Sequence, residues 1–373
     1  MAGIYIHIPY CHKACHYCNF HFSTSLKDIP LMVDAICTEL SMRKDYLNNQ
    51  PVETIYFGGG TPSVLSSDLI NVIINQVYSN YLITENVEIT LEANPEDISP
   101  EKLNDWKQSG INRLSIGIQS FQDDRLLWMN RNHTAIDAIK SVKQAQKAGF
   151  YNITIDLIYG LPGMTSAEWK QEIHTAIALD IPHISSYCLT IEEKTVFGHQ
   201  FKKGQIAEIS EELSESHLLV LMKELEIAGY EQYEISNFSK KGFESIHNSN
   251  YWKRRMYLGI GPGAHSYNLL ARHANISNNV LYIKEISNKK LPLLTDFLTD
   301  TDHYNEYILT RIRTKWGISL PDILPWVSPN ISEIEKKINE LILNNFITKN
   351  GNAYLLTTKG KLLADEITLK LML

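Results

Sequence analysis

The sequence predicts an α/β fold: an open, partial (β/α)6 barrel with a mostly helical, winged-helix-like module at its C-terminal end. Three observations predict it. Six short apolar runs rich in β-branched and aromatic residues alternate with helical patterns over the first two-thirds of the 373 residues. The alternation stops after Gly229. From about residue 301 the order is helix, helix, hairpin, helix.

The strand-like runs are Ile4 to Ile8, Thr54 to Phe57, Val87 to Leu91, Arg113 to Ile118, Ile153 to Ile158 and Ile184 to Tyr187. Each reads as a strand buried on both faces. Between them, Val33, Ile36, Cys37 and Leu40 repeat at helical spacing, and so do Leu218, Leu221, Met222 and Leu225. Helix starts are marked by Ser99-Pro100, by Thr134 with Asp137 and by Thr165 with Glu168; Gly110, Gly149 and Gly229 are placed as stops. Successive βα units imply a parallel sheet with right-handed crossovers. Six units are two short of a closed eight-stranded barrel, whose site would sit at the C-terminal strand ends.

Tyr230 to Ile235 reads as one more strand, followed by a polar loop to Trp252, a glycine-rich segment from Tyr257 to Ser266 and a polar connection from Asn275 to Lys290. The expected divisions are residues 1–235 for the barrel, 236–300 for a connecting region and 301–373 for the module. In the module, Tyr304, Ile308 and Ile312 share one helix face, Ile334, Ile338, Leu341 and Ile342 another, Asn350-Gly351 marks a hairpin turn, and a final helix starts near Lys359. A winged-helix order suggests DNA binding. Nine Lys/Arg against seven Asp/Glu from His303 onward form no basic stripe, so docking or capping is the better reading.

The formal net charge of −7 gives no pull toward nucleic acid or anionic membrane. No apolar run reaches the ~18 residues of a membrane span. No basic segment precedes the apolar N-terminal stretch, so a secretory signal is not expected and the cytoplasm is.

Three of five cysteines fall in Cys11-x-x-x-Cys15-x-x-Cys18, directly after the first strand. Such clustering suits a metal site better than a disulfide framework. Structural zinc takes four protein ligands, and His12, His16 or His21 could supply the fourth. Iron–sulfur clusters normally take four cysteines, so a four-iron cluster held by three leaves one iron open for chemistry. Unligated core thiols are the remaining alternative. Cys37, on an apolar helix face, and Cys188, ending a buried strand, read as inert core thiols. Gly58-Gly59-Gly60-Thr61-Pro62 follows the second strand, where exposed N–H groups can cradle a ligand. Glu92 and Asn94 end the third strand, and Gln119 and Ser120 the fourth. Asp156 lies inside the fifth, where an unpaired charge is expensive, and Arg131 is an available partner at the barrel mouth.

Together these residues resemble the radical S-adenosylmethionine (radical SAM) superfamily. Tyr5-Ile6-His7-Ile8-Pro9, Gly58 to Pro62, Asn112 to Ser115, Gly117 to Phe121, Asn130-Arg131 and Asp156 to Pro162 are similar to the oxygen-independent coproporphyrinogen III oxidase family, over almost the whole chain. The resemblance implies a [4Fe-4S] cluster on Cys11, Cys15 and Cys18. It also implies S-adenosylmethionine contacts from Tyr5, Gly60, Thr61, Glu92, Gln119, Arg131 and Asp156, with Tyr17 packed on the adenine. Two departures from the oxidase stand out. Phe20 occupies the place of its fourth cysteine, and ten residues precede Cys11 where the oxidase has a long extension. Both match the oxidase-like branch of HemW-type heme chaperones, as does His247-Asn248-Ser249-Asn250-Tyr251-Trp252, which is similar to that branch's heme-binding motif. Histidine is a common axial heme ligand, the aromatic rings offer flat faces for a porphyrin, and Lys253, Arg254 and Arg255 could meet propionates. The branch implies heme transfer to acceptor apo-proteins, respiratory ones among the candidates, with peripheral membrane contact through them left open, and no oxidase activity. The alternative is the oxidase itself, which converts coproporphyrinogen III propionates to vinyl groups by radical oxidative decarboxylation.

Overall fold

The computed structural model describes residues 1–207, 210–327 and 331–373. Six strands run parallel in chain order: β1 (Ala2–Ile8), β2 (Val52–Gly59), β3 (Ile83–Ala93), β4 (Arg113–Gln119), β5 (Asn152–Tyr159) and β6 (His183–Cys188). The crossovers carry α1 (Ile29–Met42), α2 (Ser67–Asn80), α3 (Pro100–Gln108), α4 (Asp123–Trp128), α5 (Ala135–Lys147) and α6 (Ser166–Ala178). The expected starts are in place. Ser99 accepts from the Lys102 N–H at 3.2 Å, and Thr134–Asp137 and Thr165–Glu168 form reciprocal capping boxes. Alternate residues of all six strands face one interior cavity: Tyr5, Tyr56, Glu92, Ser115, Asp156 and Ser185 among them. A sheet whose period-2 inner face lines a single space is curled as a barrel wall. The opposite faces pack Ile4, Ile6, Phe57, Leu91, Leu114, Ile116, Ile155 and Ile184 into the main core.

After α7 (Val196–Lys202) and α8 (Glu211–Ile227), the chain departs from the sequence reading. β7 (Glu231–Glu234) is a strand as expected, but the supposed polar loop contains β8 (Asn237–Ser239), which pairs antiparallel with β6, and α9 (Ile246–Trp252). The glycine-rich segment supplies β9 (Met256–Ile260), a parallel neighbour of β1 on its free side, and β10 (His265–Tyr267). β11 (Ala271–Asn275) and β12 (Leu293–Phe297) extend that edge, giving a twelve-stranded sheet. The supposed connection from Asn275 to Lys290 holds α10 (Asn279–Ser287), capped by Asn278 and packed on α1.

A buried polar network explains why this polar stretch is fixed. Glu39 is fully buried and accepts from Arg43 Nη1 (3.1 Å), Asn275 Nδ2 (2.8 Å), Tyr282 OH (2.5 Å) and the Gly261 N–H (2.9 Å). Arg43 also donates to Gly259 O and Ser266 Oγ, both at 3.0 Å. A buried charge is tolerable when paired and hydrogen-bonded. Here the bonds tie α1 to β9–β11 and α10.

The remaining elements are α11 (Asp300–Arg311), β13 (Ile318–Ser319), α12 (Leu320–Val327), α13 (Ile331–Leu343), β14 (Ile347–Asn350), β15 (Ala353–Leu356), α14 (Thr358–Leu362) and α15 (Ala364–Leu371). Tyr304, Ile308, Ile312, Ile334, Ile338 and Leu341 form a second hydrophobic core, as their periodicity indicates. The β14–β15 hairpin turns through Gly351. Lys315 Nζ donates to Glu231 and Glu244, each at 2.7 Å, and joins this unit to the barrel. Among the described residues no helix is long and apolar enough to cross a membrane.

Candidate functional site

The loop after β1 is pinned at several points. The Cys11 N–H donates to Ser23 O (3.1 Å), the His16 N–H to Met129 O (3.1 Å), and the Phe197 N–H to His16 O (3.0 Å). Asn130 Nδ2 reaches Ala14 O at 2.7 Å. The Cys11, Cys15 and Cys18 thiols face one cavity of about 490 Å³. Thr61 Oγ1 donates to Cys11 Sγ (3.4 Å) and Arg131 Nη1 to Cys15 Sγ (3.2 Å). Burial pushes the Cys11 thiol up to about 12 and also raises Cys18, and the neighbouring thiols add to both. Three crowded, desolvated thiols are unfavourable as bare thiolates, and cationic iron would favour their ionised form. Among the described residues no three His, Cys, Asp or Glu converge on a single-ion position. Three thiols suit a polynuclear cluster with one open iron, whereas structural zinc needs a fourth protein ligand. The histidines that could complete a zinc site point elsewhere: His12 to Asp97 (3.5 Å), His16 to Trp128 O (2.9 Å) and His21 to Asn279 (2.7 Å).

The residues implied to hold the cluster and S-adenosylmethionine, and His247, border this cavity: Tyr5, Cys11, Cys15, Tyr17, Cys18, Gly60, Thr61, Glu92, Gln119, Arg131, Asp156 and His247; Ser120, Trp252, Lys253, Arg254 and Arg255 do not. Four local readings change. First, the Gly60 and Thr61 N–H groups are not free for a ligand. They donate to Ile8 O (2.9 Å) and Tyr10 O (2.7 Å), lashing the end of β2 to the cysteine loop. A Cβ on Gly60 would come within 2.6 Å of Tyr10 O, so the position admits only glycine. Second, Arg131 does not pair with Asp156. Its Nη2 donates to Asn94 Oδ1 (2.7 Å) and Gly117 O (2.6 Å). Third, Cys188 is half-buried and borders the cavity as well as packing against the main core. Cys37 is half-buried.

The fourth change concerns His247. It lies in helix α9, only 3% exposed, rather than on an open loop. Both ring nitrogens are engaged, Nδ1 with Thr54 Oγ1 (2.7 Å) and Nε2 with Tyr251 OH (3.0 Å). The α9 N–H groups of Ile246 and His247 donate to Glu88 on β3. Gly3 and Thr54 lie near the starts of their strands and the cysteine loop follows the strand ends, so His247 forms the barrel floor, at the opposite end of the cavity from the thiols. Burial lowers its pKa to about 3, so the ring is neutral. Trp252 is half-buried. Arg254 is tied to Tyr267 and His303 (both 2.9 Å), and Lys253 lies over the Trp316 ring.

The cavity wall is electrostatically mixed. Burial raises Glu92 to about 7 and Asp156 to about 6. The Tyr56 hydroxyl donates to Glu92 Oε1 at 2.7 Å. The Ser185 hydroxyl and the Arg113 charge oppose the shift at Asp156. Gln119 follows a register shift in β4 and has φ +73°. A left-handed non-glycine backbone beside a cavity is strain of the kind that collects at functional sites. His7 donates through Nε2–H to His21 O (2.9 Å), which leaves Nδ1 to accept from Tyr5 OH (3.1 Å). Sequence reasoning missed Arg113, Tyr56 and His183 as cavity residues. Arg113, a charge opening an apolar strand, was the one legible signal; Tyr56 and His183 read as ordinary strand residues.

Residues 5–176 match the Radical SAM superfamily. The chain is 34% identical to Heme chaperone HemW of Bacillus subtilis (strain 168), with 98% of each chain covered. The chain belongs to the HemW heme chaperone family. HemW of Escherichia coli (strain K12) is 30% identical over 98% of this chain and 96% of its own. The HemW relatives thus match from end to end, including the His247 region and the C-terminal module. Among solved structures, coproporphyrinogen III oxidase (HemN) from Escherichia coli, described as a radical SAM enzyme, superposes with a TM-score of 0.86 at 21% identity, covering 100% of this chain and 90% of that one. That likeness shows the shared radical SAM fold.

Proposed function

We propose that this chain is a heme chaperone that carries a [4Fe-4S] cluster on Cys11, Cys15 and Cys18, binds S-adenosylmethionine across the barrel mouth and hands heme to acceptor apo-proteins. The convergence of three thiols, two guanidinium groups and two desolvated carboxylates on one cavity carries this reading, in a chain similar to heme chaperones over its whole length. A cluster held by three thiolates supplies one iron with an open coordination position. Glu92 and Asp156 accept hydrogen bonds from ammonium or ribose hydroxyl groups, which repays part of their desolvation. Gln119 and Tyr5 orient the ligand beside the Gly60-Thr61 turn, Arg131 faces its carboxylate, and the Tyr17 ring covers its adenine.

The heme ligand in this reading is His247. Its neutral ring suits iron, but Nδ1 must first leave Thr54 on β2, so ligation through that nitrogen requires α9 to withdraw from the barrel floor. The test is heme titration of anaerobically reconstituted protein. His247→Ala should shift the Soret band and slow transfer to an apo-acceptor, while the cluster absorption stays intact. An unchanged spectrum and rate would remove His247 from the site. In parallel, coproporphyrinogen III with a reductant should give no protoporphyrinogen IX, and robust turnover would establish the oxidase alternative instead.

A further inference from the structure

The barrel mouth and the floor meet through one side chain. Tyr56 on β2 donates its hydroxyl to Glu92 toward the mouth (2.7 Å), and its ring stacks on His247 toward the floor (centroids 4.9 Å apart, planes 24°). Tyr5 flanks the pair, 6.1 Å from Tyr56 and 6.4 Å from His247. The space for this packing depends on glycine. A Cβ on Gly58 would lie 2.9 Å from the Tyr56 ring and 3.0 Å from Glu92 Oε1, and one on Gly3 would lie 3.3 Å from the His247 ring.

We infer that Tyr56 is a positioning residue that couples S-adenosylmethionine at Glu92 to release of His247 for heme. The inference rests on the function proposed above and adds its regulation. A ligand ammonium or hydroxyl at Glu92 Oε1 competes with the Tyr56 hydroxyl for that oxygen. Without this anchor the Tyr56 ring is free to move, and His247 loses its closest stacking neighbour. What still holds α9 is then the Thr54 bond and the Glu88 cap. Coupling of this kind is reciprocal, so heme must tighten S-adenosylmethionine by the same factor.

The experiment uses the full-length, cluster-loaded protein without reductant. Heme affinity is read from the Soret band with and without saturating S-adenosylmethionine, and S-adenosylmethionine affinity by equilibrium dialysis with and without heme. Wild type should show a gain of about fivefold or more, equal in both directions. Tyr56→Phe keeps the ring and removes the Glu92 bond, and it should bring the ratio close to one. Reading a ratio cancels any change in basal affinity. No gain in wild type, or a full gain in Tyr56→Phe, overturns the inference. His247→Ala separates the two levels. If it leaves the heme spectrum unchanged, the proposed heme site itself fails. If it alters the spectrum while the gain survives in Tyr56→Phe, only the coupling fails.

Discussion

Arg131 Nη1 lies 3.2 Å from Cys15 Sγ, and the same guanidinium bonds Asn94 Oδ1 and Gly117 O, so one cation joins the cysteine loop to the ends of β3 and β4. The thiol and the guanidinium have separable roles. Cys15→Ala should abolish the iron chromophore, because two thiolates cannot hold a four-iron cluster. Arg131→Met should leave the iron content near about four per chain, while S-adenosylmethionine binding weakens and unfolding costs about 1–3 kcal/mol less, from two stranded acceptors. Iron analysis with urea unfolding of both variants separates these outcomes. A full zinc complement and no iron in carefully prepared protein would contradict the cluster.

The raised carboxyl of Glu92 sets a pH dependence. Folding lifts it from 4.5 to about 7, so between those values the folded state binds more protons than the unfolded chain. Stability from this group therefore falls as pH rises through the window and levels off above about 7. Glu92 is half-buried against the cavity, which screens the effect to about 1–2 kcal/mol. Glu92→Gln should match wild type near pH 5 and exceed it near pH 7.5 in urea midpoints of the ligand-free protein. An advantage confined to the lower pH would show the sign to be wrong.

Asp156 behaves differently from a member of a buried ion pair. Were Arg131 its partner, losing the carboxylate would cost ~3–5 kcal/mol. With the guanidinium committed to Asn94 and Gly117 and the Asp156 carboxyl raised to about 6, Asp156→Asn should leave the apo protein at least as stable at neutral pH. The same change should weaken S-adenosylmethionine binding. Thermal melts beside equilibrium dialysis provide the check, and a large loss of stability in the variant would restore the ion pair.

Gly3 tests the seat of α9. A Cβ there would sit 2.7 Å from Thr54 Oγ1 and 3.3 Å from the His247 ring. Gly3→Ala should cost about 1–3 kcal/mol by overpacking. Backbone hydrogen exchange over residues 246–252 should accelerate while the β4 and β5 amides keep their protection. Uniform loss of protection would indicate global rather than local loosening.

The sequence by itself determined the features governed by local rules. The cysteine spacing, the six parallel strands, the capping boxes at Thr134 and Thr165 and the Asn350-Gly351 hairpin all follow from residues within a few positions of one another. Glu92 and Gln119, polar groups at the ends of apolar strands, stood out in the sequence as candidates, whereas Tyr5, Tyr17 and His247 were singled out only through the family resemblance. Only the tertiary structure decided that β9 pairs with β1, that the polar stretch after Asn275 is anchored by buried Glu39, that Arg131 reaches Cys15 instead of Asp156, and that His247 is a buried floor rather than an open ligand. Periodicity reports which face of an element is apolar, but not which distant strand or side chain will cover it. For His247 the deciding partners are Thr54, 193 positions away in sequence, and Tyr56 beside it. Their proximity comes from closing a sheet around a cavity, which no local pattern encodes.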